Sequence, residues 1–288
     1  MQEITWKIGD IKITQVIELE AGEIIQEVIP DATKENIKKI PWLKPHFADD
    51  EGHLKAVVQS FVIETPDRVI IVDTCIGNGK SRTDIPKWGN LQTEFLTRLQ
   101  SKGYPRERID AVLCTHLHFD HVGWNTILQA DKWVPTFPQA RYLFAEEEFK
   151  YWHGKPAAEI ADDHAGFADS VLPIFEAGLV DLIPVDHSIS NEISLIPTPG
   201  HTPAHVSILI KSRGEQAVIT GDAAHHPCQF ARPQWHTAAD TNKDQARTSR
   251  LALLERFADT PTLIIGSHFS IPTGGRVRRE NGAFRFVV

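Results

Sequence analysis

Alternation of apolar and polar positions is clearest at the start of the chain. Ile4-Thr5-Trp6-Lys7-Ile8 and residues 11–17 alternate on either side of Gly9-Asp10, which predicts a β-hairpin. Residues 20–53 lose that order. Within them 31–37 predict a short helix stopped by Pro41 and Pro45, inside a loop-rich excursion that carries Trp42, His46 and Phe47. Two strands follow, 57–64 and 68–72, joined through Thr65-Pro66-Asp67; the second runs into the turn-forming tail Asp73-Thr74-Cys75-Ile76-Gly77. Leu91, Phe95, Leu96 and Leu99 recur at helical spacing over 90–102, with Gly103 and Pro105 as the stop. Beyond them, 109–115, 141–144, 179–185, 193–197, 206–210, 217–220 and 262–265 predict strands. Residues 122–128, 145–151, 167–177 and 243–257 predict helices; Leu251, Leu253, Leu254 and Phe257 form the buried side of the last. The stretch 152–166 carries glycine, proline, histidine and aspartate without a clear period. Strands outnumber helices and no linker-like shift in composition divides the chain. The pattern therefore predicts one layered α/β domain over 1–288.

Composition narrows the class. A chain of 288 residues can bury a substantial core, and 41% hydrophobic with 24% charged residues is ordinary for a soluble globular protein. A net charge of −8 offers no basic field for nucleic acid. Arg276-Val277-Arg278-Arg279 is basic but short, and reads as the solvated face of a hairpin. Residues 1–6 lack the basic start and apolar run of a signal peptide, and no apolar run approaches membrane-spanning length. Cys75, Cys114 and Cys228 are widely spaced and odd in number, which fits a reducing, cytoplasmic setting without disulfides.

The chemistry concentrates at His116-Leu117-His118-Phe119-Asp120-His121, directly after the apolar run 109–114. Side chains at i and i+2 of an extended segment share a face, so His116 and His118 can reach one ion. Asp120 and His121 lie where the chain turns. Imidazole and carboxylate suit zinc and similar first-row ions. Three later strands also end in metal-type ligands: 193–197 leads to His201, 217–220 to Asp222 and 262–265 to His268. Singly each is an ordinary loop residue. Together they repeat the placement of ligand sites at the strand ends of open α/β sheets.

These residues resemble the H-x-H-x-D-H signature of the metallo-β-lactamase superfamily. The later residues fall in that family's order: His201 in Pro-Gly-His-Thr, Asp222 in Thr-Gly-Asp, and His268 near the C-terminus. Asp73 in Val-Asp-Thr matches the family's early aspartate, which is structural. The resemblance spans about 57–270 and implies a four-layer αβ/βα sandwich with a dinuclear metal site. It further implies that His116, His118 and His201 hold one metal, that Asp120, His121 and His268 hold a second, and that Asp222 bridges both. Two divalent ions sharing a water lower its pKa, and the bridging hydroxide attacks an electrophilic centre while the ions stabilise the developing anion. Asp120 is placed to orient the nucleophile and relay a proton. Zinc suits this ligand set; manganese, iron and cobalt are alternatives.

The aspartate at 222 is generally absent from true β-lactamases. Gly221-Asp222-Ala223-Ala224-His225-His226-Pro227 and the downstream Asp240-Thr241-Asn242 resemble the branch containing N-acyl-homoserine lactonases and methyl-parathion-type hydrolases. The resemblance implies a metal-dependent hydrolase that opens lactones or cleaves related small-molecule esters. The alternatives are an organophosphate triester hydrolase and a non-catalytic metal-binding protein on the same fold. Phe47, Trp124, Trp152, His225, His226, Phe230 and Trp235 are candidates for lining the substrate pocket, and one of His225 and His226 for hydrogen-bonding a metal ligand. Nothing beside Cys228 activates its thiol. The 20–53 excursion is the candidate surface for a homodimer.

Overall fold

The opening hairpin forms as its alternation predicts. β1 (Thr5–Ile8) pairs antiparallel with β2 (Ile11–Glu20), Ile8 opposite Ile11, and Gly9 turns the corner. The structure, a computed structural model, describes residues 4–155 and 161–288; the expectations that touch 1–3 and 156–160 lie outside it. The chain clusters into two units, one of residues 4–19 and Val58–Pro184, the other of Glu20–Val57 and Val185–Val288.

The first unit is built on a seven-stranded sheet. To the hairpin it adds β3 (Val57–Glu64), β4 (Val69–Val72) and β5 (Ala111–Leu113). A separate two-stranded ribbon, β6 (Thr126–Gln129) and β7 (Lys132–Pro135), precedes β8 (Arg141–Ala145) and β9 (Val180–Ile183). The order is β1-β2-β3-β4-β5-β8-β9, and β4, β5, β8 and β9 run parallel. Ile70, Ile71 and Val72 of β4 and Val112 and Leu113 of β5 are all buried, as strands covered on both faces require. Burying each such aliphatic side chain is worth roughly 1.5–3 kcal/mol. The helix expected over 122–128 is a single 3-10 turn, Gly123–Asn125, after which Thr126 starts β6. The short apolar run Thr126-Ile127-Leu128 serves an outer ribbon that leaves Leu128 exposed, and periodicity could not separate that from a helix.

The second unit holds a six-stranded sheet in simple order. Its strands are β10 (Ile193–Pro197), β11 (Val206–Ser212), β12 (Glu215–Ile219), β13 (Leu263–Ile265), β14 (Gly274–Glu280) and β15 (Ala283–Val287). Only β12 and β13 are parallel, Ile219 beside Ile265; the helix Lys243–Phe257 makes the crossover between them. Asn242 caps that helix by accepting from Gln245 N–H, and Leu253, Leu254 and Phe257 are buried on it. β14 and β15 form the basic hairpin, with Arg276 and Arg278 exposed. The 20–53 excursion contains the helices Gly22–Val28 and Lys34–Lys38, the second capped by Thr33. Among the described residues no helix is long and apolar enough to cross a membrane.

Candidate metal centre

Parallel pairing of β4 with β5 sets the first group of candidate ligands. Val72 lies beside Leu113, so the residues just past each strand meet: Asp73 N–H donates to Leu113 O at 3.0 Å. The Asp73 carboxylate then accepts from Thr115 N–H (2.8 Å), from the Thr115 hydroxyl (2.9 Å) and from His121 Nδ1 (2.8 Å). His116 and His118 leave the strand end on one side, and His116 Nε2 lies 3.0 Å from His118 Nδ1. The chain then enters the short helix Phe119–Val122, which turns Asp120 and His121 back; His121 Nε2 is 3.8 Å from Asp120 Oδ2. The ring of His121 sits 4.1 Å from that of His116. Gly123 makes the return possible. A Cβ there would stand 1.8 Å from Ile76 O, where Gly123 N–H bonds Cys75 O and Thr74 N–H bonds His121 O.

In the second unit the same rule works three times. Past the parallel pair β12 and β13, Thr220 N–H bonds Ile265 O, which brings Asp222 and His268 to one end of the sheet. The turn between β10 and β11 lies at that end as well, because Pro197 is opposite Val206. It presents His201, and its Gly200 (φ 129°) passes so close to the helix Lys243–Phe257 that a Cβ would be 2.0 Å from Ala246 N. Asp222 is therefore ringed by imidazoles: His225 Nε2 at 3.0 Å, His268 Nε2 at 3.3 Å and His201 Nε2 at 3.4 Å. His201, Asp222 and His225 offer donor atoms that all lie within 4.8 Å of one another.

The far nitrogens decide what these rings can do. His201 Nδ1 donates to Asp240 Oδ1 at 2.9 Å and His268 Nδ1 to Val57 O at 3.1 Å, tautomers assigned from those acceptors. Each ring then carries a lone pair on Nε2, aimed at an Asp222 oxygen. Acceptor facing acceptor is unfavourable unless a cation or a proton lies between. The arrangement in the first unit is alike, with His121 Nδ1–H donating to Asp73 at 2.8 Å. Buried imidazole and carboxylate donors converging in this way fit a first-row divalent ion. Burial alone would raise the Asp240 carboxyl; the hydrogen bond from His201, aided by Thr237 N–H, holds it well below the usual carboxylate range.

The structure brings His116, His118, Asp120 and His121 together in one unit and His201, Asp222 and His268 in the other. The pocket candidates divide. His225 faces Asp222 directly and its Nδ1 is buried without a partner. Trp152 packs edge-on against His118, ring centroids 5.3 Å apart, and donates to buried Glu148, which also takes Leu117 N–H. Phe47 and Phe230 join Phe269 and Phe286 in a buried aromatic cluster. His226 donates from Nε2 to Phe47 O, and burial lowers its pKa to about 4. Trp235 is buried and its carbonyl accepts from Arg250, while Trp124 stacks on Phe95 and donates to Glu18. Burial pushes the Cys228 thiol up, as expected of an inert packing cysteine. Sequence reasoning missed what His205 does: its Nε2 accepts from Asp222 N–H at 2.8 Å while Thr198 engages Nδ1. Asp240 was visible only as part of a motif, since nothing in its spacing to His201 announces a contact.

Comparisons with known proteins agree with this geometry. The family model described as the metallo-beta-lactamase superfamily matches residues 55–268. The N-acyl homoserine lactonase of Bacillus cereus is 24% identical over 185 residues, 60% of this chain and 66% of that protein, so the match spans just under two thirds of the relative's length. Among solved structures, the hydrolase AbOPH in the beta lactamase superfamily superposes with a TM-score of 0.80 at 23% identity, covering 99% of this chain and 96% of that one. AidC, a dizinc quorum-quenching lactonase, gives 0.81 at 20% identity with the same coverage. These two likenesses speak to the fold. With the family match across most of the chain, they settle that this protein belongs to the metallo-beta-lactamase superfamily and has its α/β fold.

Proposed function

We propose that the protein is a two-metal hydrolase that opens lactones, and that both units serve one catalytic domain. In this reading His116, His118 and His201 hold one ion, Asp120, His121 and His268 the other, and Asp222 is shared. The observation that carries it is the convergence on Asp222: the Nε2 atoms of His268 and His201 lie 3.3 and 3.4 Å from its oxygens, a facing of acceptors that a bound cation would satisfy. When bound, two divalent ions supply Lewis acidity and an acidified water. The chain supplies the rest. Asp73, Asp240 and Val57 O hold three histidines in one tautomer, so no reorganisation is needed as charge develops. Asp120 orients the attacking water and passes its proton to the leaving alkoxide. His225 keeps a buried nitrogen for the substrate, and leaving such a group unsatisfied otherwise costs about 1–3 kcal/mol.

The lactone is favoured by the relatives' names. Rates on a panel of acyl lactones, set beside rates on paraoxon-like triesters under zinc-replete conditions, test the reading. Faster turnover of lactones supports it. Turnover of triesters alone would replace it with phosphotriester hydrolysis. Asp120→Asn is expected to keep the fold and lose most turnover.

A further inference from the structure

The segment from Ala161 to Glu176 sits against the histidine motif and is held there at two points. It runs as a helix, Ala161–Gly166, a π-helical turn, Phe167–Val171, and a second helix, Leu172–Glu176. At its start the buried Asp162 carboxylate accepts from three successive backbone N–H groups, those of Thr83, Asp84 and Ile85. Further on, Asp169 binds Lys80 Nζ at 3.2 Å and Arg82 Nη1 at 2.8 Å; both cationic side chains are fully buried. Lys80 also donates to Thr126 and lies 3.7 Å over the Trp133 ring. Between the two attachments Gly166 passes the motif so closely that a Cβ would be 2.6 Å from Phe119 Cβ. Buried cations need fully formed partners to be tolerated, so this cluster fixes the segment in one place.

That place puts Asp163 over His118. One carboxylate oxygen accepts from Phe119 N–H at 3.3 Å, and the other lies 4.0 Å from His118 Nε2. The opposite ring nitrogen, Nδ1, is the one that converges with His116 Nε2. A contact of 4.0 Å is electrostatic and longer than a hydrogen bond, but it bears on which nitrogen keeps the proton.

We propose that Asp163 is a positioning residue for His118. Its carboxylate keeps the proton on Nε2 and turns Nδ1 toward the metal, and the buried Lys80–Arg82–Asp169 cluster holds the carboxylate in position. The inference rests on the metal-centre reading above. It differs from the Asp73 and Asp240 contacts in that the segment carrying the acid is anchored by a buried ion cluster.

The test is zinc affinity, measured by competition with a chromophoric chelator for the wild type, Asp163→Ala, Asp163→Asn and Asp169→Asn, with the thermal midpoint recorded in parallel. Asp163→Ala is expected to bind one of two ions about 10–100-fold more weakly. In Asp163→Asn the amide oxygen still faces Nε2–H but without the charge, and the loss falls to less than about 10-fold. Asp169→Asn shows a smaller loss in the same ion. Cobalt(II) substituted for zinc shifts its visible absorption in the Asp163 variants. A purely structural role would lower the thermal midpoint and leave affinity and spectrum of the folded protein unchanged, which overturns the proposal. If Asp163→Ala does not fold, an unchanged affinity and cobalt spectrum in Asp163→Asn overturns it equally. A wild type that binds no zinc overturns the metal-centre reading and this inference with it.

Discussion

In the first unit four candidate ligands come from six consecutive residues, 116–121, carried by one strand end and one short helix. In the second, His201, Asp222 and His268 come from three separate strand ends that only sheet register brings together. The first group is local in sequence yet leans on Asp73 from the neighbouring strand. The second is distant in sequence, and each histidine is oriented by a partner from elsewhere in its unit, Asp240 for His201 and the Val57 carbonyl for His268. A contiguous motif can therefore be read as chemistry before the fold is known. A dispersed one becomes chemistry only when strand pairing places the ends side by side.

The contrast is testable through the two orienting acids. Asp73 accepts three hydrogen bonds that tie β4 to β5, and it sits at φ 50°. Asp73→Ala is expected to lose roughly 3 kcal/mol or more of stability, read as a lowered urea midpoint. Asp240→Ala is expected to remain folded while kcat/KM falls about 10–100-fold through His201. Equal destabilisation by both, with activity kept in Asp240→Ala, would break the distinction. Next in size are the two close approaches. Gly123→Ala and Gly200→Ala should each cost about 2 kcal/mol or more in thermal or urea unfolding, because the added Cβ meets backbone in both. A neutral Gly200→Ala would mean that the turn carrying His201 is free to shift.

The smallest effect is a pH dependence. His226 titrates at 6.5 when exposed but near 4 in its buried place, where its Nδ1 accepts from Cys228 N–H. Between these values the unfolded chain holds more protons, so stability rises with pH in that window and is lost as pH falls. The loss from this residue is roughly 1–2 kcal/mol at pH 5.5. His226→Gln should flatten the slope of the urea midpoint between pH 6.5 and 4.

Much of this was legible in the residues alone. Alternation placed the opening hairpin, and apolar runs placed most strands, because burial on both faces leaves little choice of residue. The candidate ligands stood out because metal binding restricts residue type and the chain carries them beside glycines at strand ends. The 126–135 ribbon was not, since its short apolar run suits several structures. The acids at 163 and 240 were not, since a carboxylate that orients a histidine across space leaves no local pattern. Nor were the burial of Phe47 and Phe230 in an aromatic cluster and of Lys80 and Arg82 beside Asp169, which depend on partners distant in the chain.

Lactone opening by a single preparation, stripped with a chelator and then titrated with zinc, tests the central claim most directly. The account predicts no hydrolysis in the stripped protein and activity that climbs with zinc until about two ions are bound per chain. Lactone hydrolysis that survives stripping, or its absence at every zinc level in a folded protein, would contradict it.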